Sequence, residues 1–204
     1  AKWLDYYGHY QFGMKTILSY SIVGRKILEM PSVEVLGNEP IIQHTFAIAP
    51  GDSWRKIVLG RLSKNENFAF KEGVFSLDNL NAQNMLPEPK WINPKNSIVL
   101  IGQGDKESQS FMAVGIQGDI EGLRWDIDGS QQVSLFIPKS TESQLIKVHR
   151  YSASNTKELE EFAKFITNVQ NHPISDPTDF TKGGDPLWNT TITLKGALDV
   201  GIPH

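Results

Sequence analysis

The densest group of side chains suited to ligand chemistry opens the chain. Trp3-Leu4-Asp5-Tyr6-Tyr7-Gly8-His9-Tyr10-Gln11-Phe12 places five aromatics and one histidine within ten positions. Aromatic faces are apolar and stack on flat rings, and Asp5 and His9 offer groups that bind hydroxyls. Trp3, Tyr6, Tyr7, His9 and Tyr10 are therefore a candidate platform for a sugar. The competing reading is an N-terminal strand whose aromatics fill a core, and an isolated aromatic cluster packs more often than it binds.

Metal and acid–base chemistry find less support. Trp125-Asp126-Ile127-Asp128-Gly129 matches a calcium loop only in part, because such a loop needs a third oxygen ligand before its glycine and a distal bidentate glutamate. Here Gly129 directly follows Asp128, and Gln131 and Gln132 come next. Asp126 and Asp128 are thus partial metal candidates, an Asp-Gly hairpin turn explains them more simply, and no metal site or cofactor is expected. His9, His44, His149, His172 and His204 show no i, i+2 or i, i+4 pairing that would grip a metal locally. His44 reads as a satisfied or surface strand residue. Glu29, Glu34, Asp126 and Asp128 are candidates for the carboxylate pair of a glycoside-cleaving enzyme, but sequence alone places no two at a working separation. The chain has no Gly-x-Ser-x-Gly elbow, P-loop or dinucleotide fingerprint, and Gly102-Gln103-Gly104 is too short to be one. Having no cysteine, it holds no disulfide, thiolate ligand or covalently attached haem. These observations lean away from catalysis by this chain alone.

The elements that must position these residues read as short strands. Thr16 to Ser21 and Arg25 to Met30 form a hairpin with Gly24 at the positive-φ position, and Pro31 ends its second arm. Ile41 to Ala49, Trp54 to Leu62, Phe68 to Phe70, Val74 to Leu77, Ser97 to Ile101 and Ser110 to Gln117 follow as strands. Along Trp54 to Leu62 the alternation is imperfect. Residues 78 to 96, rich in proline and asparagine, read as a long surface loop. Leu123 to Ile127 and Gln132 to Ile137 flank the Asp128-Gly129 turn, and Gln144 to Arg150 alternates like a half-buried strand. One segment is helical, over about 156–171. Asn155 and Glu158 complete a capping box, Leu159, Phe162, Ala163, Ile166 and Val169 form an apolar stripe, and Pro173 closes it. Trp188 to Leu194 reads as a last strand. Thr181-Lys182-Gly183-Gly184-Asp185-Pro186-Leu187-Trp188 is turn chemistry first and a ligand loop second.

The expected fold is therefore mainly β: an antiparallel sandwich or open barrel with one amphipathic helix near the C-terminus. Residues 1–172 form the β domain. Residues 173–204 are expected to form an extended crossover and final strand on that same domain and to lead into a downstream module. At 204 residues one such unit is sufficient, and no repeat of 20 to 50 residues points to a propeller. The net charge of −3, without a basic stripe, excludes a nucleic-acid footprint, and no apolar run reaches the ~18 residues of a membrane span. The opening Ala1-Lys2-Trp3 and the close Gly201-Ile202-Pro203-His204 read as a mature or excised piece of a longer protein.

Several stretches, in order, carry a resemblance. These are Trp3…Tyr7-Gly8-His9-Tyr10, Leu18-Ser19-Tyr20-Ser21-Ile22-Val23-Gly24…Ile27-Leu28-Glu29-Met30-Pro31, His44-Thr45-Phe46…Pro50 and Thr181-Lys182-Gly183-Gly184…Trp188…Thr191-Ile192-Thr193…Gly196. The chain resembles an uncharacterised β domain of large multimodular secreted proteins of Planctomycetes, Verrucomicrobia and Bacteroidetes. There the domain precedes a sorbosone-dehydrogenase-like β-propeller and often a cytochrome c module. The resemblance implies a secreted or periplasmic module with a propeller or cytochrome c partner downstream, and it carries over no catalytic residue. The expected function is a non-catalytic module for carbohydrate contact or for docking a neighbouring domain. The alternatives are a carbohydrate-active enzyme with a carboxylate pair and an accessory subunit of a haem electron-transfer complex.

Overall fold

The computed structural model describes residues 3–61, 66–72, 97–104, 109–127 and 132–182. Strands β1 (Leu4–Phe12), β2 (Lys15–Ile22), β3 (Arg25–Leu36) and β4 (Glu39–Ile48) form an antiparallel meander. β5 (Arg55–Arg61), β6 (Glu66–Glu72), β7 (Ser97–Gly104), β8 (Gln109–Gly118), β9 (Arg124–Ile127), β10 (Gln132–Ile137) and β11 (Gln144–Ala153) follow, then helix α1 (Thr156–Val169) and a 3-10 turn at Pro177–Phe180. They build an eight-stranded sheet, β1-β2-β3-β4-β11-β8-β7-β6, and a three-stranded sheet, β5-β10-β9. The fold is mainly β, with two antiparallel sheets and one α-helix among the described residues, as the alternation of side chains predicts.

The middle of the large sheet is buried on both faces. Its sandwich face carries Ile27, Phe46, Ile48, Val114, Ile116, Ile146 and Val148 against Leu59, Trp125, Val133 and Leu135 of the small sheet. Its helix face carries Ile41, Ala113 and Tyr151 against Leu159, Phe162 and Ile166 of α1. Successive strand residues alternate between these faces, which is why β11 contributes Ile146 and Val148 to one core and Tyr151 and Ala153 to the other. At the N-terminus of α1 the Glu158 amide donates to Asn155 Oδ1 at 3.0 Å, and the Asn155 amide group donates to Glu158 Oε1 at 2.7 Å, the expected capping pair. The 3-10 turn lies against β1, β3 and β4.

Buried Arg25 ties the two sheets together. Its guanidinium donates to the carbonyls of Ala49 at 2.7 Å and Pro138 at 3.2 Å and to Gln144 Oε1 at 3.0 Å, joining three chain segments. A cation buried this way is tolerated because its donors are met by oxygen acceptors.

Two expectations about strand ends need correction. Pro31 does not end its strand: β3 continues to Leu36. The β2–β3 pairing stops at Leu18↔Glu29, so from Pro31 onward β3 has β4 as its one strand neighbour among the described residues, the edge-like setting that proline tolerates. β7 likewise runs on through Gly102 and Gly104 instead of closing before them. The imperfect alternation of β5 is a register shift, with Val133 opposite Gly60 and Ser134 opposite Val58. The expected strands at 74–77 and 188–194, the 78–96 loop and the Thr181–Trp188 string past residue 182 lie outside the described residues.

Candidate functional site

Among the described residues β1 is an edge strand, hydrogen-bonded to β2 alone. Its aromatics do not fill a core. Trp3, Tyr6, Tyr7 and Tyr10 are 43% to 66% exposed, so the packing reading of this segment is overturned. The physical reason is position: the small sheet and α1 cover the middle of the large sheet, and β1 lies beyond both. A bulge between Tyr6 and Gly8, with φ +124° at Gly8, divides the aromatics between faces. Tyr6 and His9 share the sandwich face, where Tyr6 Oη and His9 Nδ1 stand 3.5 Å apart. Tyr7 and Tyr10 share the helix face, and there the Tyr7 hydroxyl is 3.0 Å from Ser21 Oγ. Phe12 follows on that face, leaning on Phe180 at 5.4 Å, with Lys15 Nζ 3.7 Å from the Phe180 ring centre. Asp5 opposes Ser21 on this same face. The five candidate residues thus sit on one strand and form two half-platforms, Tyr7 with Tyr10 being the one whose rings are spaced along a single face by roughly 10 Å.

A second arrangement was not visible in sequence. On the sandwich face Tyr20 of β2, Glu29 of β3, His44 of β4 and Arg150 of β11 fall on one diagonal, each two residues further along than the partner of the last. Tyr20 Oη donates to Glu29 Oε2 at 2.9 Å, and His44 Nδ1 meets Glu29 Oε1 at 2.6 Å. Burial alone would raise the Glu29 carboxyl. The hydrogen bonds from His44 and Tyr20 and the nearby charges of His44 and Arg150 outweigh it and hold the group below the usual carboxylate range. Arg150, at the far end, is half-buried, and burial lowers its pKa while Glu29 raises it. Its Nε is shielded from solvent and has no hydrogen-bond partner. The four residues come from strands up to 130 positions apart, and only register aligns them. The legible signals were a histidine within a strand and Glu29 as one of four carboxylate candidates, with nothing to join them.

On the opposite face the buried imidazole of His149 is held by two glutamines. Gln43 Nε2 donates to His149 Nδ1 at 3.2 Å, and His149 Nε2 donates to Gln117 Oε1 at 3.3 Å, an assignment that each amide's remaining bonds require. Gln43 Nε2 also donates to Glu34 at 2.8 Å, and Gln117 Nε2 donates to the carbonyls of Val169, the last residue of α1, and His172 just beyond it. Desolvation, with Lys147 nearby, pushes the imidazole down to about 3. This chain of bonds serves the fold, since every ring nitrogen is occupied.

Among the acidic candidates, Glu29 and Glu34 are five residues apart on β3 and therefore project from opposite faces of the sheet. Asp126 is paired with Lys56 on the small sheet. Asp128 lies outside the described residues. Among the described residues no three His, Asp or Glu side chains gather as a metal-ion group, and no helix is long and apolar enough to cross a membrane. The outer surface of the small sheet bears one more aromatic group, Trp54 on Phe136 at 4.1 Å with the Arg124 guanidinium 4.6 Å from the Trp54 ring centre.

No protein-family model matches this chain, and no curated protein matches it in a sequence comparison.

Proposed function

We propose that this chain is a non-catalytic β module that takes carbohydrate on the aromatic edge of β1. The observation that carries this reading is the exposure of Tyr7 and Tyr10 on one face of an edge strand, with Tyr6 and His9 on the other. Exposed aromatics on an edge strand are a costly surface for a protein to keep without a use, and a pyranose ring covers such a face with its C–H groups while its hydroxyls turn to the polar group on that face, Asp5 beside Tyr7 and Tyr10 or His9 beside Tyr6. The resemblance to modules of secreted multidomain proteins bears on the module and not on its ligand, and with it goes a secreted or periplasmic setting and a propeller or cytochrome c neighbour.

The test is retention of the protein on insoluble cellulose, chitin and xylan, followed by titration with the matching oligosaccharide. Wild type should be retained on at least one, and the Tyr7→Ala/Tyr10→Ala variant should bind at least tenfold more weakly. Absence of retention on all three, or equal retention by the variant, would falsify the sugar reading.

A second reading rests on the same strand. The backbone edge of β1 that faces away from β2 has no strand partner among the described residues, so a neighbouring domain can dock by adding a strand there. Loss of a propeller partner on Gln11→Pro substitution, at a β1 position outside the sugar platform, with sugar retention intact, would favour docking.

A further inference from the structure

The small sheet covers only part of the large sheet's sandwich face, and the Tyr20–Glu29–His44–Arg150 diagonal is the border. On one side of it Ile27, Phe46, Ile146 and Val148 are buried. On the other side lies an open shelf of Pro31, Val33, Val35 and Ile42, with Val33 and Val35 67% exposed. Register ties the shelf directly to the cation, since Val33 stands opposite Ile42 and Ile42 opposite Arg150 across three adjacent strands. His44 is the diagonal neighbour of Arg150, within reach of a long side chain.

The polar groups on the border are unequally satisfied. Both oxygens of Glu29 are taken, one by Tyr20 and one by His44. The Arg150 Nε is desolvated and has no hydrogen-bond partner, and the charge nearest the guanidinium, Glu29, already spends both oxygens elsewhere. A guanidinium is a planar fork of five donors that fits a carboxylate through two parallel bonds. A half-buried fork left open beside an exposed aliphatic row is an arrangement that a carboxylate with an apolar tail would complete at both ends.

We propose that this corner of the large sheet binds a small carboxylic acid with an apolar body: the carboxylate on Arg150, assisted by the Nε2 edge of His44, and the body laid across Ile42 and Val33. Two strand spacings from β11 to β3 set the length of that body at about 10 Å. Glu29 tunes the site, because its charge, held by Tyr20 and His44, disfavours a second anion and confines the carboxylate to the Arg150 end. The site is separate from the β1 aromatics and stands or falls without them.

The experiment is a calorimetric or NMR titration of the native chain with octanoate, 1-octanol and acetate. Octanoate should bind, and octanol and acetate should each bind at least tenfold more weakly, one lacking the charge and the other the body. Arg150→Gln should weaken octanoate at least tenfold and leave octanol unchanged, whereas Tyr7→Ala/Tyr10→Ala should leave octanoate unchanged. Ile42→Ser, an exposed substitution, should weaken octanoate severalfold and leave the thermal midpoint in place. No octanoate binding, octanol binding as tight as octanoate, or wild-type affinity in Arg150→Gln overturns the proposal. Should Arg150→Gln fail to fold, the three-ligand comparison on the native chain together with Ile42→Ser still decides it.

Discussion

Ile166 of α1 rests on the bare backbone of Gly115 in β8: a Cβ built at position 115 would stand 2.5 Å from Ile166 Cδ1 and 2.6 Å from its Cγ1. Real carbon contacts do not reach that distance, and Ile166 is buried with no room to turn aside. Gly115→Ala should therefore destabilise the protein by about 1–3 kcal/mol through overpacking, despite alanine's lower backbone entropy cost in the unfolded chain. Urea midpoints will show it. The pairing of Gly115→Ala with Ile166→Val should recover part of the loss, a coupling expected only of residues in contact. Equal stability of Gly115→Ala and wild type would mean that α1 does not sit on β8 as closely as this.

Much of this architecture was readable from local pattern, and the reason is visible in particular residues. Leu159, Phe162 and Ile166 repeat at helical spacing, and Asn155 with Glu158 announces where that spacing begins, so α1 needed no tertiary information. The β2–β3 hairpin is local too. What pattern could not supply is which strand lies beside which. Gly115 reads as one more weak spot in a strand until α1 is known to cross it. Pro31 reads as a stop until β2 is known to end its pairing before it. The Tyr20–Glu29–His44–Arg150 diagonal requires the registers of β2, β3, β4 and β11 together, and a slip of one residue in any of them would put one member on the opposite face. The β1 aromatics were legible as a cluster, but their exposure was not, because it depends on how far the small sheet and α1 extend over the two faces.

Val23 is a position where the chain carries avoidable strain. The two-residue turn between β2 and β3 has positive φ at both central residues, 48° at Val23 and 79° at Gly24. Sequence points to Gly24 alone. A β-branched residue in the left-handed region is disfavoured by roughly 1–2 kcal/mol, and Asn-Gly is the dipeptide such a turn prefers. The Val23 side chain is exposed, so its removal forfeits little burial. Val23→Asn should stabilise the protein by about 1 kcal/mol, which for a chain of this size raises the thermal midpoint by about 2–4 °C. A lower midpoint would show that the Val23 side chain contributes packing its exposure does not reveal.

His149 makes stability depend on pH in a defined direction. Its folded pKa, about 3, lies below the ordinary histidine value near 6.5 because burial and the Lys147 charge disfavour the imidazolium. Between those two values the unfolded chain takes up a proton that the folded chain refuses. The contribution of His149 is fully present above pH 6.5 and declines as pH falls toward 3, by at most about 1.4 kcal/mol per pH unit. Urea unfolding at pH 7 and pH 4.5 should show wild type losing roughly 2–3 kcal/mol more than His149→Gln over that interval. The comparison between the two chains removes the carboxylates, Glu29 among them, whose loss of stability begins lower on the pH scale. Parallel declines in both chains would mean that His149 accepts a proton without leaving its glutamine partners.

Tyr7 offers the finest test of the aromatic edge, since one atom separates its structural role from its exposure. Its hydroxyl meets Ser21 Oγ at 3.0 Å, and Ser21 is buried under it. Tyr7→Phe keeps the ring and removes that bond, leaving the serine hydroxyl without this partner at a cost of about 1 kcal/mol. Tyr6→Phe removes a hydroxyl whose contact with His9, at 3.5 Å, is at the limit of a hydrogen bond, and stability should be unchanged within 0.5 kcal/mol or about that. If the β1 platform holds sugar by the faces of its rings, Tyr7→Phe should bind polysaccharide more weakly by a few fold, because the freed ring no longer has one orientation, while Tyr6→Phe should match wild type. A Tyr7→Phe chain that is less stable yet binds as well as wild type would mean that the ligand, if any, does not read this ring.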